Sequence, residues 1–283
     1  MERINGKQIA AEIKQSVRKK IEKKYIKAGK PVPALACIIV EGNSASEVYV
    51  ASKERACAEC GMRSEIIRLP QNVKQEELCN IIQKLNADNR ISGILLQLPL
   101  PSHLDETAAL SQISSEKDVD CLTNVNLGAL LAKNQTVAPC TATGIIKILD
   151  HENISIAGKR AVVVGRSLLV GKSVACLLEQ RNATVTLCHS KTQCLSSITS
   201  QADILVVAIG KAKFIKKEFV KPGAVVIDVG INRIDGKLYG DVDYDDVCEK
   251  CSYITPVPGG VGPLTVACLM ENTLTLHEKY RVQ

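Results

Sequence analysis

The sequence contains few aromatic side chains: its 283 residues include no tryptophan, two phenylalanines and six tyrosines. A hydrophobic core must therefore be filled mainly by aliphatic residues, and apolar residues make up 46% of the chain. A membrane span is not expected, because no apolar run reaches the roughly 18 residues that a span requires. No apolar secretory segment is present in the opening MERINGKQIA, so we expect a cytoplasmic protein without a membrane partner.

A strong excess of one charge is also absent. The formal net charge is +6, and the lysines are scattered along the chain. The densest basic cluster, Arg18 to Lys24, falls in an amphipathic predicted helix and is interpreted as a solvated face. We therefore expect no nucleic-acid partner, whereas a mildly basic protein suits an anionic small molecule.

Cysteine, in contrast, is frequent, with twelve residues. The chain is long enough to form a core without disulfides, so these residues are predicted to be reduced thiols. Two C-x-x-C pairs, Cys57/Cys60 and Cys248/Cys251, have the spacing of zinc ligands. The pairs lie far apart in sequence and the first falls within a predicted helix, so we interpret them as buried small residues and expect no metal site.

Short apolar runs alternate with helical patterns, as in parallel sheets that are covered by helices on both faces. The length suits two domains, and a stretch containing proline and glycine, residues 137–144, marks the predicted join. The fold class is therefore α/β, with two α/β domains in tandem. Predicted strands lie at 34–40, 64–69 and 92–98 in the first domain, and at 160–165, 183–188, 202–210 and 224–230 in the second. The last apolar segment is a helix that could pack on the first domain, which the sequence alone does not decide.

A glycine turn between the strand RAVVV and a following helix indicates a dinucleotide site. Gly165 permits a tight turn, and free N–H groups at the start of a helix can hold a pyrophosphate. The spacing from Gly165 to Gly171 is G-x-S-x-x-x-G, which departs from the usual G-x-G-x-x-G. The preceding strand, the helix and a second strand at the expected distance nevertheless fit a Rossmann unit.

The end of that second strand bears on the choice of cofactor. A carboxylate usually binds the ribose diol of NAD at this place, but the sequence here is Cys188-His189-Ser190-Lys191. Arg166, Ser190 and Lys191 are suited to contact a 2′-phosphate, so NADP is predicted rather than NAD. The alternative for Arg166 is a solvated turn residue.

In the first domain, Tyr49 and Lys53 share one face of a predicted helix. The helix is expected to start at a capping box formed by Ser44 and Glu47, and to stop at Gly61. Spacing alone fits either a solvated lysine beside a half-buried tyrosine or a functional pair.

Three further segments favour a functional site. Gln97 ends a predicted strand and should emerge at the carboxyl edge of the sheet, where open α/β proteins bind ligands. Asp118 and Asp120 follow in a predicted loop and could complete a polar site. The segment from Thr255 to Thr265, TPVPGGVGPLT, could be a rigid connector or a shaped loop around a ligand, with a cis X-Pro bond.

Together these segments resemble one family, the bifunctional 5,10-methylenetetrahydrofolate dehydrogenase/methenyltetrahydrofolate cyclohydrolases. The resemblance covers essentially the whole chain in the family's order, and VVVGRS…VG and TPVPGGVGP are its most specific parts. The other matching segments are YVASK, LLQLPLP, EKDVD, PCTATG, ATVTLCHSKT, KPGAVVIDVGIN, GDVDYDDV and TVACLMENT.

The resemblance implies an N-terminal folate-binding domain, residues 1–138, and a C-terminal Rossmann domain that binds NADP, residues 139–264, flanking a cleft. It also implies a C-terminal helix, residues 265–283, that returns to the N-terminal domain. The family is typically homodimeric, and its small-molecule substrate is a folate.

The resemblance further implies roles for individual residues. Lys53 corresponds to the catalytic lysine, assisted by Tyr49 and Gln97, and Asp120 holds the pterin, so all four are expected to be catalytic and to contact the substrate. The positions that match NADP contacts are Gly165, Arg166, Ser167, Ser190 and Ile231. The positions that match a folate-lining loop are Pro258, Gly259, Gly260, Val261, Gly262 and Pro263.

Three segments depart from the family pattern. KDVDGFHPxNxG is KDVDCLTNVNLG here, so Cys121 replaces glycine, and Thr123 and Asn124 replace histidine and proline. Ala142 and Ser173 also stand where proline is usual. The Asp120 side chain is retained, so we expect the departures to alter the pocket around it.

The implied activity is the NADP-dependent oxidation of 5,10-methylenetetrahydrofolate to the methenyl form, then hydrolysis to 10-formyltetrahydrofolate. Hydride transfer requires positioning more than proton transfer, whereas hydrolysis requires a group that handles protons, for which Lys53 is the candidate. Two alternatives stay open. One is a dehydrogenase without the second activity, as the altered loop after Asp120 would allow. The other is a non-catalytic dinucleotide-binding regulator, which the retained Lys53, Gln97 and Asp120 argue against.

Overall fold

The computed structural model describes residues 1–281, without the side chains of residues 44 and 45. The capping box predicted at Ser44 therefore lies outside the described residues. The chain forms two compact units. The three-stranded unit comprises residues 11–140 and the described residues from 266 onwards, and the six-stranded unit comprises residues 1–10 and 141–265. None of the described helices has both the length and the apolar character of a membrane span.

The elements follow the predicted alternation of strands and helices. The strands are β1 (Glu2–Arg3), β2 (Ala34–Val40), β3 (Arg63–Leu69), β4 (Gly93–Leu96), β5 (Arg160–Val164), β6 (Thr184–Cys188), β7 (Ile204–Val207), β8 (Val225–Asp228), β9 (Asn232–Ile234), β10 (Lys237–Tyr239) and β11 (Tyr253–Ile254). The helices are α1 (Gly6–Ile21), α2 (Ser44–Cys60), α3 (Gln75–Ala87), α4 (Glu106–Ser111), α5 (Asn124–Leu131), α6 (Cys140–His151), α7 (Ser173–Gln180), α8 (Leu195–Thr199), α9 (Tyr244–Val247) and α10 (Val261–Tyr280).

The three-stranded unit is built around β2, which pairs in parallel with β3 on one side and β4 on the other. All seven residues of β2 are buried. Because successive side chains of a strand point to opposite faces, Leu35 and Cys37 enter a core shared with α1, α2 and α10. Ala36 and Ile38 enter a second core with α3. This central, doubly covered strand explains why its sequence is continuously apolar.

The C-terminal part of α10 belongs to the three-stranded unit. Asn272 Nδ2 donates to the carbonyl oxygens of Val119 and Ala138, each at 2.9 Å. The sulfur atoms of Met270 and Cys57 lie 3.6 Å apart. These contacts join the C-terminal part of α10 to the loop after β4 and to α2.

The six-stranded unit contains a parallel sheet in the order β1-β11-β8-β7-β5-β6. Its edge strand β1 pairs with β11, with Glu2 opposite Tyr253. Residues 1–10 thus lie in this unit, whereas the sequence-based division placed residues 1–138 together. Strands of two residues have no recognisable periodicity, so β1 and β11 could not be predicted from the sequence.

Three predicted strands extend two or more residues too far at their carboxyl ends, and one of them, predicted at 224–230, ends at Asp228. The strand predicted at 92–98 ends at Leu96, before the cis Leu98–Pro99 bond. The strand predicted at 202–210 ends at Val207, because the N–H groups of Ile209 and Gly210 donate to a side-chain carboxylate rather than to a neighbouring strand. Apolar composition alone does not reveal where a backbone changes its hydrogen-bond partner.

The loop after β4 is fixed by a buried lysine. Lys117 Nζ donates to the carbonyl oxygens of Leu85, Asn86 and Asp88 at 2.7, 2.8 and 2.8 Å. These carbonyls end α3 and have few partners within the helix, so a cation is favourable there. The contact anchors the beginning of the KDVD segment.

Cys121, which replaces the family's glycine, has φ +56°. This left-handed conformation costs a residue with a β-carbon roughly 1–2 kcal/mol. The Cys121 side chain is fully buried, and its thiol donates to the Val137 carbonyl at 3.4 Å. The backbone after Asp120 therefore keeps a conformation suited to glycine, although the residue is cysteine.

We predict that Cys121→Val lowers the free energy of unfolding by about 2–4 kcal/mol, because a β-branched residue is strained at this φ and is larger than cysteine. Cys37→Val is the matched control, since it enlarges a buried cysteine of the same core within β2, where a β-branched residue is favoured. Its loss should be about 1 kcal/mol or less. Urea denaturation measures both, and equal losses would show that the backbone of Cys121 is not the cause.

Candidate functional site

Helix α2 carries Lys53 on its buried face. Buried residues recur along this helix at Ser46, Val50, Cys57 and Cys60, the spacing of three and four residues that defines one side of a helix. Lys53 follows Val50 by three residues and precedes Cys57 by four, so it lies on the same side of the helix, and it is only partly exposed. An ammonium in this position requires a polar partner from a neighbouring element.

Gln97 is that partner. It directly follows β4, and its backbone N–H donates to the Ile38 carbonyl of β2 at 2.9 Å. Its side-chain Nε2 donates to the Leu98 carbonyl at 2.6 Å, and its Oε1 accepts from Lys53 Nζ at 2.8 Å. The two bonds fix the orientation of the amide, because its nitrogen and its oxygen have different partners.

Asp120 interacts with the same lysine. Burial raises the pKa of the Asp120 carboxyl above its ordinary value, and the charge of Asp118 also raises it, whereas the charge of Lys53 and a hydrogen bond with Cys140 lower it. The burial effect dominates, so the ionised carboxylate is incompletely solvated. N–H donors of a bound molecule would compensate for that loss of water.

Asp118 and Asp120 differ in their hydrogen-bond partners, and the family resemblance had assigned only Asp120 to the substrate. Asp118 is buried and accepts from the backbone N–H groups of Leu122 and Thr123 at 3.1 and 2.8 Å, and from Asn126 Nδ2 at 3.0 Å. Its oxygens are thus used inside the loop, where Thr123 also caps α5. Asp118 shapes the loop, and Asp120 is the carboxylate that is left to interact with Lys53.

Tyr49 precedes Lys53 by one turn of α2 and is 43% exposed. The structure thus brings Lys53, Gln97 and Asp120 together, with Tyr49 beside them on the solvent side of the helix. Lys53 lies at the same three- and four-residue spacing as the buried residues of α2. This spacing could have marked Lys53 in the sequence as a partly buried lysine.

These groups suit proton handling rather than covalent catalysis. The thiols that interact with the charges of Lys53 and Asp120 are those of Cys37 and Cys140. Burial raises the pKa of Cys37 to about 11 and that of Cys140 well above its ordinary value. Neither thiol is an activated nucleophile at neutral pH, which leaves an amine, an oriented amide and a carboxylate to act on a bound molecule.

The glycine turn of the six-stranded unit has no room for side chains. Gly165 has φ +123°, and a β-carbon on it would lie 2.1 Å from the Ala208 carbonyl oxygen. A β-carbon on Gly171 would lie 2.0 Å from the Gly165 carbonyl oxygen. One π-helical turn, Leu168–Lys172, precedes α7 and accommodates the extra residue of G-x-S-x-x-x-G. This cradle fits the close approach of a pyrophosphate.

The polar residues predicted near a dinucleotide lie at the surface around this turn. Arg166, Ser167 and Ser190 are exposed, and the Ser167 side chain accepts from Val170 N–H at 3.3 Å at the start of the π-helical turn. After β6, Lys191 N–H donates to His189 Nδ1 at 3.2 Å. No carboxylate follows the end of β6, so the residues present fit a phosphate-bearing ribose better than a free diol.

A cavity of about 190 Å³ in the six-stranded unit is lined by the remaining predicted residues, Ile231 and the loop from Pro258 to Pro263. The Val257–Pro258 bond is cis, which confirms that prediction. A β-carbon on Gly6 would lie 1.9 Å from the Gly260 carbonyl oxygen, so the start of α1 packs directly on this loop.

Sequence reasoning missed Lys7 and Asp228, which also line this cavity, and Asp241, whose carboxylate interacts with Asn232. The available signal was the glycine two residues after Asp228 and the glycine immediately before Asp241. Glycines so close to acidic residues can mark a place where a buried carboxylate leaves no room for a β-carbon.

Within residues 1–281, no group of three or more His, Cys, Asp and Glu side chains is arranged to hold a metal ion. All twelve cysteines are free thiols. Cys57, Cys60 and Cys251 are buried, as their interpretation as small core residues predicts, whereas Cys248 is only partly buried, so the prediction is wrong for that residue.

Comparison with known proteins gives consistent matches. Residues 4–120 match the sequence model of the tetrahydrofolate dehydrogenase/cyclohydrolase catalytic domain, and residues 139–281 match that of the NAD(P)-binding domain. The bifunctional protein FolD of Acetivibrio thermocellus is 51% identical over 96% of this chain and 95% of its own. The crystal structure of the bifunctional FolD enzyme of Campylobacter jejuni has a TM-score of 0.96 at 43% identity over 99% of both chains. The FolD enzyme of Trypanosoma brucei, complexed with NADP and an inhibitor, has a TM-score of 0.94 at 39% identity over 98% of this chain and 97% of its own.

We predict that Asp120→Asn raises the melting temperature near neutral pH. The pKa of Asp120 is raised in the folded state, so its ionised form destabilises the fold above that pKa. The penalty disappears as the pH falls towards the unfolded value of 3.8. The melting temperatures of wild type and variant should therefore converge in acid.

Asp203→Asn provides the control of opposite sign, since hydrogen bonds from Lys221 and Arg160 lower the pKa of Asp203. This variant should be less stable than wild type at neutral pH, and its deficit should shrink in acid. A destabilised Asp120→Asn at neutral pH would contradict the account of a poorly solvated carboxylate.

Proposed function

The chain belongs to the tetrahydrofolate dehydrogenase/cyclohydrolase family, and we propose that it oxidises 5,10-methylenetetrahydrofolate with NADP and hydrolyses the resulting methenyl cation to 10-formyltetrahydrofolate. The observation that carries the proposal is the hydrogen bond between Lys53 and Gln97 on the buried face of α2, with Asp120 beside the lysine. A relative 51% identical over nearly the whole chain is a bifunctional FolD protein.

In the oxidation, NADP supplies a hydride acceptor when it is bound. The substrate loses a hydride from its methylene carbon and becomes a cation stabilised by two nitrogens, so no proton has to be removed. The protein must bind and orient its ligands. We assign this role to the turn of Gly165, Arg166 and Ser167, together with Ser190 and Ile231.

In the hydrolysis, water adds to the cationic carbon and its oxygen gives up both protons as it becomes the formyl oxygen. The bond from that carbon to one ring nitrogen breaks, this nitrogen takes up one proton, and the second proton is released. One group must take up and deliver protons, and we assign this role to Lys53. Gln97 holds the Lys53 side chain, and Tyr49 assists from the exposed side of α2. Asp120 accepts N–H groups of the pterin, and the loop from Pro258 to Pro263 lines the folate.

A dehydrogenase that lacks the second activity is the main alternative, favoured by the strained Cys121 directly after Asp120. The purified chain should hydrolyse methenyltetrahydrofolate without NADP, which loss of the methenyl absorbance would report. NADP reduction with methylenetetrahydrofolate but no enzymatic hydrolysis would establish the monofunctional alternative. Absence of both reactions would support a non-catalytic regulator.

We also propose that the chain forms a homodimer. The edge strand β3 supports this, since in the described chain it pairs only with β2 and leaves its outer edge open to another strand. Analytical ultracentrifugation should give twice the mass of one chain, and a monomer would contradict the proposal. The cytoplasmic location stays a prediction.

We predict that Lys53→Met lowers the rate of methenyl hydrolysis at least about 100-fold, because it removes the proton-handling group but preserves most of the side-chain volume. The dissociation constant of NADP should not change. Arg55→Ala, on the exposed side of the same helix, is the control and should keep wild-type hydrolysis. Normal hydrolysis by Lys53→Met would exclude the assigned role.

A second prediction concerns the cofactor. Ser190→Glu places a carboxylate after β6 and should reduce the ratio of kcat/KM for NADP to kcat/KM for NAD by at least about tenfold, since it repels the 2′-phosphate. Ser197→Glu, at an exposed position of α8, adds the same charge elsewhere and should leave the ratio unchanged. Steady-state assays with both cofactors measure it, and equal ratios in the two variants would place the 2′-phosphate elsewhere.

A further inference from the structure

Two carboxylates in the six-stranded unit are packed against glycines that leave room for them. A β-carbon on Gly230 would lie 2.2 Å from the Asp241 carboxyl carbon, and one on Gly240 would lie 1.8 Å from Asp228 Oδ2. Each aspartate is therefore paired with a glycine that lies one or two residues from the other aspartate in sequence. Neither glycine can carry a side chain in this arrangement. The end of β8 therefore packs closely against the segment that begins at Asp241.

Asp241 is the more heavily used acceptor of the two. Its Oδ2 accepts from the backbone N–H groups of Ile209 and Gly210 at 2.6 and 3.0 Å, and its Oδ1 accepts from Lys211 N–H at 2.8 Å. Asn232 Nδ2 donates to Oδ1 at 2.9 Å. Asp241 is fully buried, so these four donors replace the water that its carboxylate has lost.

Asp228 fixes Asp241 in turn. Its Oδ1 accepts from Asp241 N–H at 2.9 Å and from Gly230 N–H at 3.0 Å, and its Oδ2 accepts from Val242 N–H at 2.9 Å. The backbone on both sides of Asp241 is thus held before its carboxylate reaches across to the turn after β7.

The segments bound to Asp241 are those beside the proposed cofactor contacts. Ala208, which directly precedes the three donors, places its carbonyl oxygen where a β-carbon of Gly165 would lie. Ile231 stands between Gly230 and Asn232 and lines the cavity of this unit. One carboxylate thus holds both the turn that packs against Gly165 and the segment that presents Ile231.

We infer that Asp241 is a positioning residue for the dinucleotide site, acting through the turn of residues 209–211 and the segment of residues 230–232. The inference rests on the proposed function, because it assumes that Gly165 and Ile231 contact NADP. Both oxygens of a carboxylate accept hydrogen bonds. An asparagine at this position has only one such oxygen and would direct its N–H₂ group towards N–H groups that also donate. Asp241→Asn therefore breaks the arrangement with almost no change of volume.

The test is the dissociation constant of NADP, measured by titration calorimetry, together with steady-state kinetics. We expect Asp241→Asn to raise this constant and the KM for NADP about 10- to 100-fold, as misplaced positioning groups do. Hydrolysis of methenyltetrahydrofolate without NADP should keep its wild-type rate. A purely structural role would instead lower kcat for both reactions and leave the KM for NADP unchanged, which would overturn the inference.

Asp203→Asn is the matched control, because Asp203 lies just before β7, at the opposite end of that strand, and accepts from Arg160 N–H and Lys221 Nζ at 2.9 and 2.6 Å. NADP binding should be unaltered in this variant. If Asp241→Asn does not fold, Asn232→Ala decides the question, since it removes one donor and keeps the carboxylate. A rise in the dissociation constant supports the inference, and wild-type binding overturns it.

The calorimetric measurement also separates this inference from the proposed function. Wild-type protein that binds NADP but does not reduce it with methylenetetrahydrofolate would refute the proposed activity, while the comparison of Asp241→Asn with wild type would still test the positioning role.

Discussion

A lysine on the buried, mainly apolar face of helix α2 imposes the main constraint on the three-stranded unit. Lys53 lies on the same side of α2 as the buried residues Val50 and Cys57. Its ammonium therefore needs polar partners inside the fold. Gln97 meets that need because β4 ends just before it, which brings its amide to the carboxyl edge of the sheet. Asp120 adds a carboxylate whose pKa is raised by burial. The polar group is thus costly to the fold, and such a cost is typical of sites that bind and transform ligands.

In the six-stranded unit, the main constraint is the close approach of backbone segments to one another and to buried carboxylates. Gly165 and Gly171 leave no space for side chains around the turn after β5, and Gly230 and Gly240 make room for two buried carboxylates. Hydrogen bonds to the Asp241 carboxylate replace strand pairing after Ala208 and hold the turn that follows. The cofactor turn and the strand ends around it therefore depend on glycines and acids that lie far apart in sequence.

Much of this organisation could be predicted from the sequence. The strand over residues 34–40 matches β2 at both ends, because a central parallel strand is continuously apolar. β1 and β11 were beyond prediction, since two residues show no periodicity. The family resemblance identified Lys53, Gln97 and Asp120, whereas the hydrogen bonds that use Asp118 inside the loop were not predictable, because they depend on the folded backbone. Asp241 was missed for the same reason.

If one chain performs both folate reactions in succession, each NADPH formed is accompanied by one molecule of 10-formyltetrahydrofolate, and this yield can be measured directly. Wild-type protein would be given methylenetetrahydrofolate and NADP, and the products would be quantified by chromatography after correction for hydrolysis in buffer. We expect equimolar NADPH and 10-formyltetrahydrofolate without lasting accumulation of the methenyl form. NADPH accompanied by an equal amount of methenyltetrahydrofolate, or no NADPH at all, would contradict this expectation.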